Sequence, residues 1–143
     1  MAKFAQGKFP LKNPGKYIGK KSPTYRSSWE FAFMKLCDEH PNVTQWASEA
    51  IQIPYRNPVT GKMTIYVPDF FINYTDKNGK IIAELVEIKP KNQTVMELAR
   101  DQGQKMQAIK NQAKWSAATD WCKQKRIRFR VVTEQELFHN GSR

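Results

Sequence analysis

Residues 67–90 read VPDFFINYTDKNGKIIAELVEIKP, two apolar runs joined by a polar turn. The run reaching Tyr74 is rich in aromatic and β-branched residues, and Ile81-Ile82-Ala83-Glu84-Leu85-Val86 is apolar enough for an interior strand. Asp76-Lys77-Asn78-Gly79 between them is hairpin-turn chemistry, and Pro90 stops the second strand. Charges spoil the pattern at two places. Glu87 and Lys89 close the second strand on the face that carries Leu85 and Ala83, because side chains alternate with a period of two. In the first strand Asp69 stands alone between Pro68 and Phe70. A charge in such surroundings needs a partner or an ion, since desolvating it alone costs several kcal/mol or more.

Whether the acids meet depends on the hairpin register. If Lys77-Asn78-Gly79 is a three-residue loop with Gly79 left-handed, residues pair where their numbers sum to 156. Asp69 then lies opposite Glu87, with β-carbons about 4.5–5.5 Å apart. A two-residue Asn78-Gly79 turn makes the sum 157 and sends the acids to opposite faces. The first register is favoured here. Two opposed carboxylates repel unless a cation lies between them, and two carboxylates with a carbonyl and waters suit Mg²⁺ or Mn²⁺ without histidine. Lys89 offers a mobile positive charge to a phosphate or an attacking water. This is the equipment of metal-assisted phosphodiester hydrolysis. The bland alternatives are a surface Glu87–Lys89 ion pair and simple turn chemistry at Pro68-Asp69.

The rest of the chain fits that reading. With 143 residues there is room for one domain, and 40% hydrophobic and 12% aromatic residues suffice for a packed core. Lys and Arg number 24 against 13 Asp and Glu, a formal +11, which suggests a polyanion partner: nucleic acid or an anionic membrane surface. No apolar run is long enough to span a bilayer, and no secretory h-region is expected. Cys37 and Cys122 fall in expected helices, which fits a reduced compartment. His40 and His139 have no close cysteine partner, which argues against structural zinc.

Residues 1–26 hold seven basic side chains and no acid, with Pro10, Pro14 and Pro23 interrupting them. Residues 1–24 are therefore expected to be a basic arm, ordered against its partner, or else a solubilising tail. A domain over 25–138 and a polar tail over 139–143 follow. Ser27-Ser28-Trp29-Glu30 matches a capping box, and Trp29, Ala32, Phe33, Leu36 and Cys37 recur at helical spacing until His40-Pro41. Strands are expected at Ile51–Tyr55, Met63–Tyr74, Lys80–Lys89 and Arg126–Val131. A helix is expected from about Met96 to Lys125, with Met106, Ile109, Ala113, Ala117 and Trp121 inward. Thr133-Glu134-Gln135-Glu136 opens a short last helix. The fold class is α/β with element order α-β-β-β-α-β, a mixed sheet flanked by helices.

Pro68-Asp69 followed by Glu87-x-Lys89 at the end of an apolar strand, inside that element order, resembles the PD-(D/E)XK nuclease superfamily. It includes restriction endonucleases, Holliday-junction resolvases and the TnsA transposase subunit. The likeness covers residues 25–138. Gly7-Lys8-Phe9, Lys12-Asn13-Pro14, Arg26-Ser27-Ser28-Trp29-Glu30, Ile53-Pro54-Tyr55-Arg56 and Glu87-Ile88-Lys89-Pro90 are similar to the head completion proteins of T-even-type tailed phages. Asn111-Gln112-Ala113-Lys114-Trp115, Trp121-Cys122 and Val132-Thr133-Glu134 are TnsA-like.

The resemblance implies a Mg²⁺-dependent DNA endonuclease, with Mn²⁺ as a substitute. Asp69 and Glu87 would be metal ligands, with the Ile88 carbonyl completing the inner sphere. Lys89 would be the catalytic lysine and Glu30 an auxiliary carboxylate, a role compatible with capping. Lys8, Lys12, Lys16, Lys20, Lys21, Arg26, Lys91 and Lys114 are the expected DNA contacts, with Gln104 a weaker candidate. Implied partners are double-stranded or branched DNA and the portal or head-vertex proteins of a virion assembled in the host cytoplasm. Oligomeric state stays open. The alternative function is a non-catalytic head or neck protein that keeps the fold and caps the packaged genome end. A third reading, an RNA-binding domain, lacks the aromatic Lys/Arg-Gly-Phe signature.

Overall fold

The computed structural model describes residues 6–90 and 101–133. The elements are β1 (Gly7–Lys8), a 3₁₀ turn at Pro14–Lys16, β2 (Thr24–Tyr25), α1 (Ser28–Glu39), β3 (Val43–Ser48) and β4 (Ile53–Arg56). They continue with β5 (Met63–Tyr66), β6 (Phe70–Thr75), β7 (Ile81–Ile88), α2 (Gln102–Lys125) and β8 (Arg128–Val132). The main sheet has the order β3-β6-β7-β8. β3, β6 and β7 pair antiparallel, while β8 runs parallel to β7. A parallel pair needs a long crossover, and α2 supplies it. The architecture is therefore the expected α/β class, a mixed sheet flanked by helices.

Each face of the sheet has its own core. On one side Phe33, Met34 and Cys37 of α1 pack on Phe70, Ile72, Val86, Ile88 and Val132. On the other, Ala118 and Cys122 of α2 join Leu85 and the β4–β5 residues Ile53, Tyr55 and Tyr66. Covered on both sides, β7 is buried at every position from Glu84 to Ile88. Cys37 and Cys122 are both buried and unbridged.

Several expectations need correction. The first strand of the main sheet is Val43–Ser48, not the stretch at Ile51–Tyr55; a register shift between Val43 and Gln45 breaks its period-two pattern. The single strand expected over Met63–Tyr74 is two. β5 pairs with β4 in a separate two-stranded sheet, and the chain crosses at Val67-Pro68-Asp69 to enter the main sheet as β6. Pro68 has no N–H to give a ladder, so the strand breaks there. On α2 the buried positions are Ala108, Asn111, Ala118 and Cys122, whereas Ile109 is exposed. Of the expected stripe, Ala113, Ala117 and Trp121 do pack on the core beside Trp115, while Ile109 turns outward. The helix start expected near Met96 and the helix opened by Thr133-Glu134 lie outside the described residues.

From Gln6 onward the basic stretch packs on the protein's own body rather than waiting for a partner. β1 pairs with β2, Phe9 is buried, and Phe9 and Tyr17 set their rings edge-on to Trp46 at 6.1 and 4.8 Å. Asp38, fully buried at the end of α1, accepts the N–H of Lys12 at 2.9 Å and of Asn13 at 3.1 Å. Lys16 Nζ donates to the carbonyls of Asp38 and His40, at the negative end of the α1 dipole. Ile18 N–H donates to Trp46 O, so the segment also covers part of the edge strand β3.

Candidate active site

The hairpin turn fixes the first element of the site. Asp76 N–H donates to Lys80 O and Gly79 has φ of 81°, so Lys77-Asn78-Gly79 is a three-residue loop with its glycine left-handed. Phe70 then pairs with Val86 and Phe71 with Leu85. The next step of that register sets Asp69 against Glu87. At this end β6 has already stopped, and Asp69 turns its carboxylate into the gap, where Oδ2 accepts the Ile88 N–H at 2.8 Å. The favoured register is the observed one.

Glu87 is buried, 5% exposed, and both of its carboxylate oxygens are engaged. Oε1 accepts the Tyr66 hydroxyl at 2.8 Å, and Oε2 lies 3.6 Å from Lys89 Nζ. Burial, first of all, raises the carboxyl pKa of both Asp69 and Glu87. For Asp69 the negative charge of Glu87 adds to that rise, while the Ile88 N–H and Lys89 oppose it. For Glu87 the Lys89 ammonium is the largest opposing influence, followed by the Tyr66 hydroxyl and Lys114. Burial and the neighbouring carboxylates push the Tyr66 phenol far above its ordinary range, so it remains a donor.

Glu30 sits at the start of α1 on the near side. Ser27 Oγ accepts the Glu30 N–H at 3.1 Å, and Glu30 Oε1 accepts the Arg26 N–H at 2.9 Å, so the cap forms as expected. Burial raises its pKa; Arg26 and, more weakly, Lys89 pull it down. Glu30 thus feels the charges of the site without joining its centre. Among the described residues no three His, Cys, Asp or Glu side chains converge tightly enough to hold a metal ion by themselves.

Of the expected cations, Lys114 reaches the site: its Nζ lies 5.7 Å from the Tyr66 ring centre, and its charge bears on Glu87 and Asp69. Lys8, Lys20, Lys21 and Arg26 line a groove of about 810 Å³ with Gly19, Thr24, Glu49 and Gln52. The groove abuts the acids, because Glu49 N–H donates to Asp69 O at 2.9 Å and the Arg26 guanidinium, ion-paired with Glu49, also feels Glu30 and Asp69. Lys12 and Lys16 are elsewhere. Lys12 pairs with Glu39 at 3.4 Å, and Lys16 is spent on the end of α1. Lys91 lies outside the described residues, and Gln104 sits on the first turn of α2.

Sequence reasoning missed Tyr66 and Glu49. Tyr66 reads as one more strand aromatic, and only the separate β4–β5 sheet turns its hydroxyl toward Glu87. Glu49 has φ of 50°, in the left-handed region that a glutamate seldom adopts, directly after β3. An acid in a polar loop gave no signal.

A mixed sheet of this order flanked by helices is a restriction-endonuclease-like fold, with Asp69 at the break before β6 and Glu87 and Lys89 at the end of β7. Residues 40–134 match the family model of the TnsA-like endonuclease N-terminal domain, and the chain belongs to that family. Over 142 residues it is 34% identical to the head completion nuclease of Enterobacteria phage T4, with 92% of each chain covered. No helix among the described residues is long and apolar enough to cross a membrane.

Proposed function

We propose that this protein is a Mg²⁺-dependent DNA endonuclease of the PD-(D/E)XK type that acts in phage head completion after DNA packaging and is carried in the virion. One observation supports this above the others: Asp69 and Glu87 face each other beside Lys89 at the edge of a basic groove. Both acids are costly to ionise where they stand, and a divalent cation is what such a pair lacks. The donors fit a hard ion that takes Asp69, Glu87, the Ile88 carbonyl and waters, since side chains alone do not complete a shell. A bound Mg²⁺ supplies a lowered pKa for coordinated water and neutralises charge on the scissile phosphate.

The chain's own residues do the rest. Lys8, Lys20, Lys21 and Arg26 hold the phosphate backbone along the groove. Lys89, anchored by Glu87, orients the attacking water with its ammonium group. Lys114 faces the scissile phosphate from α2, and Glu30 is the auxiliary carboxylate beside them. Portal or head-vertex proteins are the proposed protein partners, on the strength of the phage T4 relative's name.

Nicking of supercoiled plasmid tests the proposal. With Mg²⁺ or Mn²⁺ the wild type nicks; Asp69→Ala falls to background and Lys89→Ala drops about 10²–10⁴-fold. Equal nicking by all three places the activity elsewhere, and tight DNA binding with no nicking by wild type favours genome capping without chemistry.

A further inference from the structure

We propose that Tyr66 is the positioning residue for Glu87, fixing which carboxylate oxygen is left to a divalent metal. The proposal rests on the reading of Glu87 as a metal ligand. Tyr66 ends β5, in the small sheet that carries none of the residues expected to do chemistry. Its ring is 4% exposed and stands edge-on to Phe129 at 6.5 Å, so the phenol has little freedom to swing away. Its hydroxyl donates to Glu87 Oε1 at 2.8 Å.

The consequence concerns the terminal torsion of glutamate, which is broad and roughly two-fold and settles only when something outside the side chain holds it. With Oε1 bound to Tyr66, Oε2 is the oxygen turned toward Lys89, 3.6 Å from its Nζ. Partners of this kind, one bond removed from a metal, commonly set ligand orientation and affinity. Filling space needs only the ring, which phenylalanine would supply equally. The hydroxyl is the part that acts on Glu87.

The test uses the full chain and Mn²⁺ as the probe. Calorimetric titration compares wild type with Tyr66→Phe, alongside thermal melting and DNA affinity measured in EDTA. Tyr66→Phe binds Mn²⁺ about 10–100-fold more weakly than wild type, while melting and metal-free DNA affinity stay unchanged. Equal Mn²⁺ affinity in the two proteins overturns the positioning role and leaves the nuclease reading intact. A parallel loss of Mn²⁺ affinity and metal-free DNA affinity means the phenol serves general packing, and also overturns it. If the wild type binds no Mn²⁺, the nuclease reading itself fails, and this proposal with it.

Discussion

Glu84 and Glu87 stand on the same buried strand and on opposite faces of it, and their surroundings divide their roles. Glu84 is satisfied within the protein: Arg130 Nε donates to one oxygen at 3.0 Å and the Tyr74 hydroxyl to the other at 2.8 Å. Glu87 meets a lysine, a phenol and a second acid. That difference predicts a pH signature. Asp69 and Glu87 have folded pKa values above their ordinary 3.8 and 4.5, chiefly through burial. Between those ordinary values and the raised ones the metal-free folded state holds more protons than the unfolded chain. Its stability therefore falls as pH rises through that window. Metal ligation requires the ionised pair, so Mg²⁺ stabilises more as pH rises. Melting temperatures in EDTA and in Mg²⁺, taken between about pH 4 and pH 8, should diverge upward. Parallel curves would mean the two acids do not take the ion. Asp69→Asn keeps an acceptor for the Ile88 N–H and removes the charge; it should raise metal-free stability at neutral pH by about 0.5–2 kcal/mol and abolish Mn²⁺ binding.

At the scale of elements, the N-terminal segment is tied down by one carboxylate. Asp38 takes two backbone N–H groups from Lys12 and Asn13, and the Asn13 amide returns to the Asp38 carbonyl at 2.8 Å. Asp38→Ala leaves those donors unmatched and should cost about 1–3 kcal/mol for each one left buried. Limited trypsin digestion should then cut at Lys12 and Lys16, which the wild type protects; unchanged protection would show that Phe9 and Tyr17 suffice alone. The elements that sequence located well are those whose signal is local: the Ser27 cap, the stop at His40-Pro41, the Gly79 turn and the apolar run of β7. Those it misplaced depend on partners. Val43–Ser48 is a strand because β6 pairs with it across a bulge. The α2 face is chosen by packing on the β4–β5 sheet and Leu85, where Ala118 and Cys122 are buried with Trp115 and Trp121 beside them.

For the whole molecule, the +11 charge says that the partner is a polyanion and nothing of where it lies. The fold sorts the cations. Lys20→Ala or Lys21→Ala should weaken DNA binding uniformly across sequences and flatten the logarithmic salt dependence by about one unit of slope each. Lys12→Ala, remote from the groove, should leave the slope unchanged. A slope equally sensitive to all three would return the basic segment to a diffuse electrostatic role.

Sequence by itself determined the α/β class and favoured the three-residue loop that sets the β6–β7 register, because alternation and turn geometry act over a few neighbouring residues. Tertiary structure alone decided that Phe9 and Tyr17 tie the basic segment to the core, that Tyr66 holds Glu87, and that Lys16 closes α1 while Lys20 faces the groove. Those outcomes join residues tens of positions apart, and only packing brings such groups within hydrogen-bonding reach.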